Sequence, residues 1–228
     1  MRSLAVLVLS MVVSGATPAF AHFKLVSPAA SFQQDSSGSP QKSAPCGQAD
    51  PGQPAVPTNA VTQLMTGQMV AIEIDETIYH PGHYRVSLAE TMNALPADPM
   101  VTAGTTACGS TVIDPNPTMP LLADGLLVHT SRFTTNQTAM VQLPAGYRCT
   151  NCVLQVTEFM SAHSAPCFYH HCAVVTISDD PTNPPTGDST IAVEEGGCCS
   201  TSRGSGASSL LAFAVGALLL RRRRRAIS

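Results

Sequence analysis

No stretch of this chain carries the 3.6-residue apolar period of an amphipathic helix, and its clearest segments are short and rich in β-formers. Gln68 to Ile74 alternates, with Val70, Ile72 and Ile74 on one side and Met69, Ala71 and Glu73 on the other. A period of two lines one face of a strand with apolar groups. Tyr84 to Leu88, Leu126 to Thr130, Ala139 to Leu143, Cys152 to Phe159 and Cys172 to Ile177 have similar character. Turns containing Pro, Gly and Asn separate them at fairly even spacing. The expectation is an all-β fold, an antiparallel β-sandwich of the immunoglobulin/fibronectin-like type. Two long Pro/Gly/Ser loops, Ala29 to Pro57 and Ala94 to Pro120, belong on its surface. Loops of that length are functional or tethered, and one cysteine in each, Cys46 and Cys108, points to disulfide tethers.

Both ends read as export signals. Residues 1–21 pass from Met1-Arg2 through an apolar run, Leu4 to Val13, to Ala19-Phe20-Ala21, the small-x-small pattern of a signal peptidase site. The run is shorter than the ~20 residues that span a bilayer. Cleavage after Ala21 would make His22 the N-terminus. At the other end, Cys198-Cys199 leads through a Ser/Gly spacer to an apolar stretch, Leu210 to Leu220, and then Arg221 to Arg225. Arginines after an apolar run stop translocation rather than bind nucleic acid. The layout is that of a sorting tail, with a simple membrane anchor as the alternative. Between these ends the expected parts are a domain at 22–177, a linker at 178–197 and a sorting segment at 198–228.

Charge excludes one class of partner. Residues 22–195 hold five basic side chains, Lys24, Lys42, Arg85, Arg132 and Arg148, against all 15 acidic ones, a net of −10. Nucleic acid is not the partner of such a surface. The six cysteines of the domain, Cys46, Cys108, Cys149, Cys152, Cys167 and Cys172, read as disulfides in an exported chain. Cys149 and Cys152 have the spacing of half a zinc site, but His170-His171 does not supply the second pair. A redox pair would need a βαβ context, which is missing.

Position singles out His22 among seven histidines. As an N-terminal residue it offers an α-amine and a ring nitrogen, a chelate from one residue. Nitrogen donors in a T-shaped or square arrangement suit Cu(II). One more imidazole completes a histidine brace, and Tyr79-His80-Pro81-Gly82-His83 enters a strand where such a ligand can be held. His80 is the preferred second ligand, with His83 its rival. Tyr169 and His171 fall on one face of a strand and His170 on the other, so His171 either neighbours the metal or packs beside it. His129 reads as structural or exposed.

Here the chain resembles the lytic polysaccharide monooxygenases. His22-Phe-Lys-Leu-Val-Ser-Pro and His80-Pro81-Gly82 have the form of the family's two brace segments. Glu158-Phe-Met-Ser-Ala-His163-Ser-Ala and Phe168-Tyr169-His170-His171-Cys172-Ala173 resemble the fungal members. The spaced motifs are closest to a myxobacterial polysaccharide monooxygenase-like group, and the tail is similar to the MYXO-CTERM signal, which makes Cys198 or Cys199 the processing site. The resemblance implies one copper ion, cycling between Cu(II) and Cu(I), held by His22 and His80. It implies Tyr169 as the axial residue, His163 as the histidine that hydrogen-bonds oxygen species, and a Cys46–Cys172 disulfide. The implied activity is oxidative cleavage of a β-linked polysaccharide, cellulose, chitin or a related polymer, by a secreted or surface-attached monomer supplied by an electron donor.

The chain also departs from that pattern. Cys167 stands where the family has a glutamine, and the loop between His163 and Tyr169 is short. There is no Trp, so only Tyr79, Tyr84 and Tyr147 are left to stack on sugar rings. These departures favour a second expectation, a copper-binding or copper-acquisition protein without turnover. A third, a non-catalytic carbohydrate-binding or structural surface module, leaves the coincidence of His22, His80 and the Tyr169 segment unexplained.

Overall fold

Val70, Ile72 and Ile74 do line one face of a strand, and on that face two sheets meet. The structure, a computed structural model, describes residues 22–180 and Thr182. Its strands are β1 His22–Ser27, β2 Val61–Met65, β3 Met69–Ile78, β4 Gly82–Ala89, β5 Val101–Thr102, β6 Ser110–Thr111, β7 Leu121–His129, β8 Gln137–Gln142, β9 Cys149–Met160 and β10 Phe168–Ser178. A three-stranded sheet, β1-β3-β8, packs on a five-stranded sheet, β2-β10-β9-β4-β7, and β5-β6 form a small hairpin. Phe23, Leu25, Ile72, Ile74 and Val141 of the first sheet share one core with Val86, Leu88, Leu154, Val156 and Val175 of the second. The all-β sandwich expected from the alternation is the observed fold.

Two features differ from the expectation. The large sheet is mixed, because β2 runs parallel to β10, from Val61 beside Val174 to Met65 beside Ser178. The chain leaves β1 in one sheet and crosses through residues 28–60 before joining the other, so β2 arrives in the direction of β10. Strands β9 and β10 are also buried on both faces. Their outer residues Val153, Gln155, Phe159, His170 and Cys172 are covered. The two long loops do the covering, through Gln155 to the Pro45 carbonyl (2.8 Å) and His170 to Asp98 (2.7 Å). Because both faces are dry, neither strand shows clean polar–apolar alternation.

Three disulfides tie these layers: Cys46–Cys172, Cys108–Cys167 and Cys149–Cys152. The first fastens the 29–57 loop to β10 and the second fastens the 94–120 loop to the start of β10. The segment 1–21 expected to be a signal peptide, most of the expected linker at 178–197 and the expected sorting segment at 198–228, with Cys198 and Cys199, lie outside the described residues. Strand β10 itself runs one residue past Ile177, to Ser178.

Candidate metal centre

One end of the sandwich gathers the starts of β1, β4 and β10 and the ends of β3 and β9. His22 opens β1 there. Its carbonyl accepts a hydrogen bond from Thr77 Oγ1 (2.9 Å). The next residue is clamped on all sides. The Phe23 N–H donates to Gln41 Oε1 (3.2 Å), its carbonyl accepts from His171 Nε2 (3.0 Å), and its ring packs edge-on against Tyr84 and His171. Gly38 lies so close that a Cβ there would stand 2.0 Å from the Phe23 carbonyl oxygen, and its φ of +101° also suits only glycine.

His80 sits between β3 and β4, two residues before Gly82. A Cβ on Gly82 would lie 1.8 Å from the Phe159 carbonyl oxygen, so only glycine lets β4 close onto β9 at this point. The His80 ring meets the His163 ring edge-on at 4.9 Å. Burial lowers the His80 pKa to about 4, helped by the nearby His163 and His22 rings. The ring is therefore neutral at ordinary pH, the form in which imidazole binds a metal.

His163 belongs to the short connection from β9 to β10. Its Nδ1 lies 3.0 Å from the Pro166 carbonyl, which can only accept, so Nδ1 carries the hydrogen. The Cys108 N–H donates to the His163 carbonyl (3.1 Å), and the Cys108–Cys167 bond closes the same loop. Tyr169 lies 5.4 Å from the His22 ring and 6.0 Å from the His163 ring. Burial pushes its hydroxyl up to about 12, with Glu158 and Asp50 adding to the effect. His22, His80, His163 and Tyr169 thus form one buried cluster. The His80 Nδ1, His163 Nε2 and Tyr169 Oη atoms have no hydrogen-bond partner among the described residues.

The other histidines have other surroundings. His83 points to the opposite face of β4, with Nε2 3.7 Å from Asp124 and its ring on Phe159. Burial lowers its pKa against the pull of Asp124. His171 shares the inner face with Tyr169 and supports Phe23, while His170 takes the outer face. His129 is not exposed: it is buried, 2.9 Å from Glu76 Oε1. Cys167 is bonded to Cys108, so it brings no free thiol to the cluster.

The tyrosines offered for sugar stacking are mostly elsewhere. Tyr84 is 1% exposed, in the core, so it cannot stack on a substrate. Tyr147 precedes β9, at the far end of the sandwich from the cluster. Tyr79 is at the right end, and its hydroxyl donates to the Thr130 carbonyl (2.5 Å).

Sequence reasoning missed Glu76, His129 and Glu158, which converge within the core. One signal was available. Glu76 continues the inward phase of Val70, Ile72 and Ile74, and a carboxylate in that phase must be buried. Compared with known proteins, the chain matches no family model, no curated protein and no solved structure.

Proposed function

We propose that the protein binds one copper ion through His22 and His80 and uses it to cleave a β-linked polysaccharide oxidatively outside the cell. The observation that supports this is the meeting of His22, His80, His163 and Tyr169, which come from four separate parts of the chain. The donor set fits Cu(II), which favours imidazole and amine nitrogens with oxygen. The buried polar atoms of His80, His163 and Tyr169 that lack partners fit a group still to be bound.

When bound, copper supplies the one-electron redox chemistry that activates dioxygen or hydrogen peroxide toward a C–H bond. The protein supplies the rest. His22, once N-terminal, offers two nitrogens held in place by the clamp on Phe23. His80 offers a lone pair without first losing a proton. Tyr169 keeps its proton, so its hydroxyl is a neutral neighbour rather than a phenolate. His163 has its Nδ1 hydrogen committed to Pro166, which leaves Nε2 to accept a hydrogen bond or proton from a co-reactant. An external electron donor and a polymer such as cellulose or chitin complete the reaction.

A second reading, a surface copper-binding or copper-acquisition protein without turnover, is favoured by two observations. The Cys108–Cys167 disulfide occupies the family's glutamine position, and Tyr79 alone of the three candidates stands beside the cluster. Electron paramagnetic resonance with one equivalent of Cu(II) tests the shared part of both readings. The exported protein should give a single axial nitrogen-rich signal, and one extra residue before His22 should abolish it. An unchanged signal would remove both readings. Incubation with polysaccharide and reductant then separates them: oxidised oligosaccharides that disappear in His163→Ala, with copper affinity kept, mark the enzyme.

A further inference from the structure

On the inner face of the large sheet, Tyr169, Glu158 and Tyr84 stand side by side across β10, β9 and β4. Glu76 of β3 and His129 at the end of β7 approach Glu158 from the other side. Glu158 is 0% exposed, and Glu76 and His129 are buried as well. An imidazole nitrogen and two carboxylate oxygens, one from each residue, all lie within 4.8 Å of one another. We propose that Glu76, His129 and Glu158 form a structural site for a divalent first-row cation of the zinc type, separate from the His22–His80 cluster.

The hydrogen bonds around the three groups favour this. His129 Nδ1 lies 2.9 Å from the Leu127 carbonyl, which only accepts, so Nδ1 carries the hydrogen. That bond fixes the ring with Nε2 turned to Glu76 Oε1 at 2.9 Å. A histidine whose second ring nitrogen donates to a backbone carbonyl is the usual arrangement of a metal ligand. Glu76 Oε2 is likewise occupied, by the Phe133 N–H (2.9 Å), which directs Oε1 inward. Something positive must lie between the inward nitrogen and oxygen.

A proton would satisfy that pair alone. It would leave the fully buried Glu158 carboxyl with the Tyr84 hydroxyl as its one facing donor among the described residues and no partner for its other oxygen. A divalent ion instead draws in one Glu158 oxygen and neutralises both carboxylates, so that the buried assembly carries no net charge. The Tyr84 hydroxyl faces Glu158 across the β4–β9 pair and is the donor for its second oxygen. Imidazole nitrogen with carboxylate oxygens is a donor set that zinc accepts, and the three residues fill three of its usual four positions, the fourth going to a water carried in with the ion.

Because the site lies between the sheets, the ion enters as the sandwich closes. The full chain, disulfides intact, is unfolded in denaturant and refolded with Zn2+ or with EDTA, and then dialysed against EDTA in the native state. Protein refolded in zinc should keep about one ion per chain through that dialysis and release it only on unfolding. Glu158→Gln, which keeps the shape, should retain less than about a tenth of that. His80→Ala should retain it fully, which separates this site from the copper cluster. No EDTA-resistant zinc in the wild-type protein, or equal retention by Glu158→Gln, would overturn the proposal. Cobalt refolded into the wild-type protein provides a check that needs no variant: strong visible bands of a low-symmetry four-coordinate site are expected, and the weak spectrum of hydrated cobalt would count against it.

Discussion

Replacing Cys108 and Cys167 together by alanine should show how firmly the loop bearing His163 is held. The bond joins residues 59 apart, and closing a ring of that size removes roughly 4 kcal/mol of chain entropy from the unfolded state. The ring is nested inside the Cys46–Cys172 ring, so the unfolded segment is already partly confined, which trims the figure to about 3.5 kcal/mol. Both sulfurs also pack against Phe159 and Phe168, and leaving that space empty brings the expected loss back to about 4 kcal/mol. In a domain of this size that is a fall of about 10 °C in Tm. Non-reducing guanidinium denaturation of wild type and double variant measures it. Hydrogen exchange in the native state reads the local effect, because the Cys108 N–H that holds the His163 carbonyl should exchange faster. A loss below about 1 kcal/mol, or unchanged exchange across residues 161–167, would refute the view that this disulfide positions His163.

Three further outcomes are expected. Burial lowers the His171 pKa from 6.5 to about 4 despite its bond to Phe23, so above pH 6.5 both states are neutral and stability is full. Between pH 6.5 and 4 the unfolded chain takes up a proton that the folded chain refuses, and about 3 kcal/mol is lost. Urea curves in chelator should therefore depend less on pH in His171→Gln, and parallel profiles would contradict the assignment. Phe23→Ala empties a fully buried position between Tyr84 and His171 and should cost about 3–5 kcal/mol, read as a shift of the denaturation midpoint. Gly82→Ala forces a methyl group into the Phe159 carbonyl and should cost at least about 1–3 kcal/mol; copper binding should weaken with it, since β4 carries His80 into place.

Local chemistry was readable along the chain. The alternation of Gln68 to Ile74 announced a half-buried strand because side chains on a strand change face at every residue. An even number of cysteines behind a signal-like N-terminal segment announced disulfides. A period-two pattern fails, however, where both faces are dry. Strands β9 and β10 were therefore legible only in part, and β1 and β2 were not recognised. Burial of their outer faces depends on loops that arrive from 50 to 130 residues away, through Asp98 to His170 and Cys46 to Cys172.

The candidate site divides in the same way. The sequence alone determined that His22 follows a cleavage-like Ala19-Phe20-Ala21 and that His80 precedes a strand. Tertiary structure decided that His80, in the connection ahead of β4, meets His163 while His83, on the outer face of β4, faces Asp124. It also decided that Tyr84 is core rather than surface, and that Glu76, His129 and Glu158 converge. Those three residues are 53 and 29 apart along the chain, and no local period reports contacts that form only when two sheets close on one another.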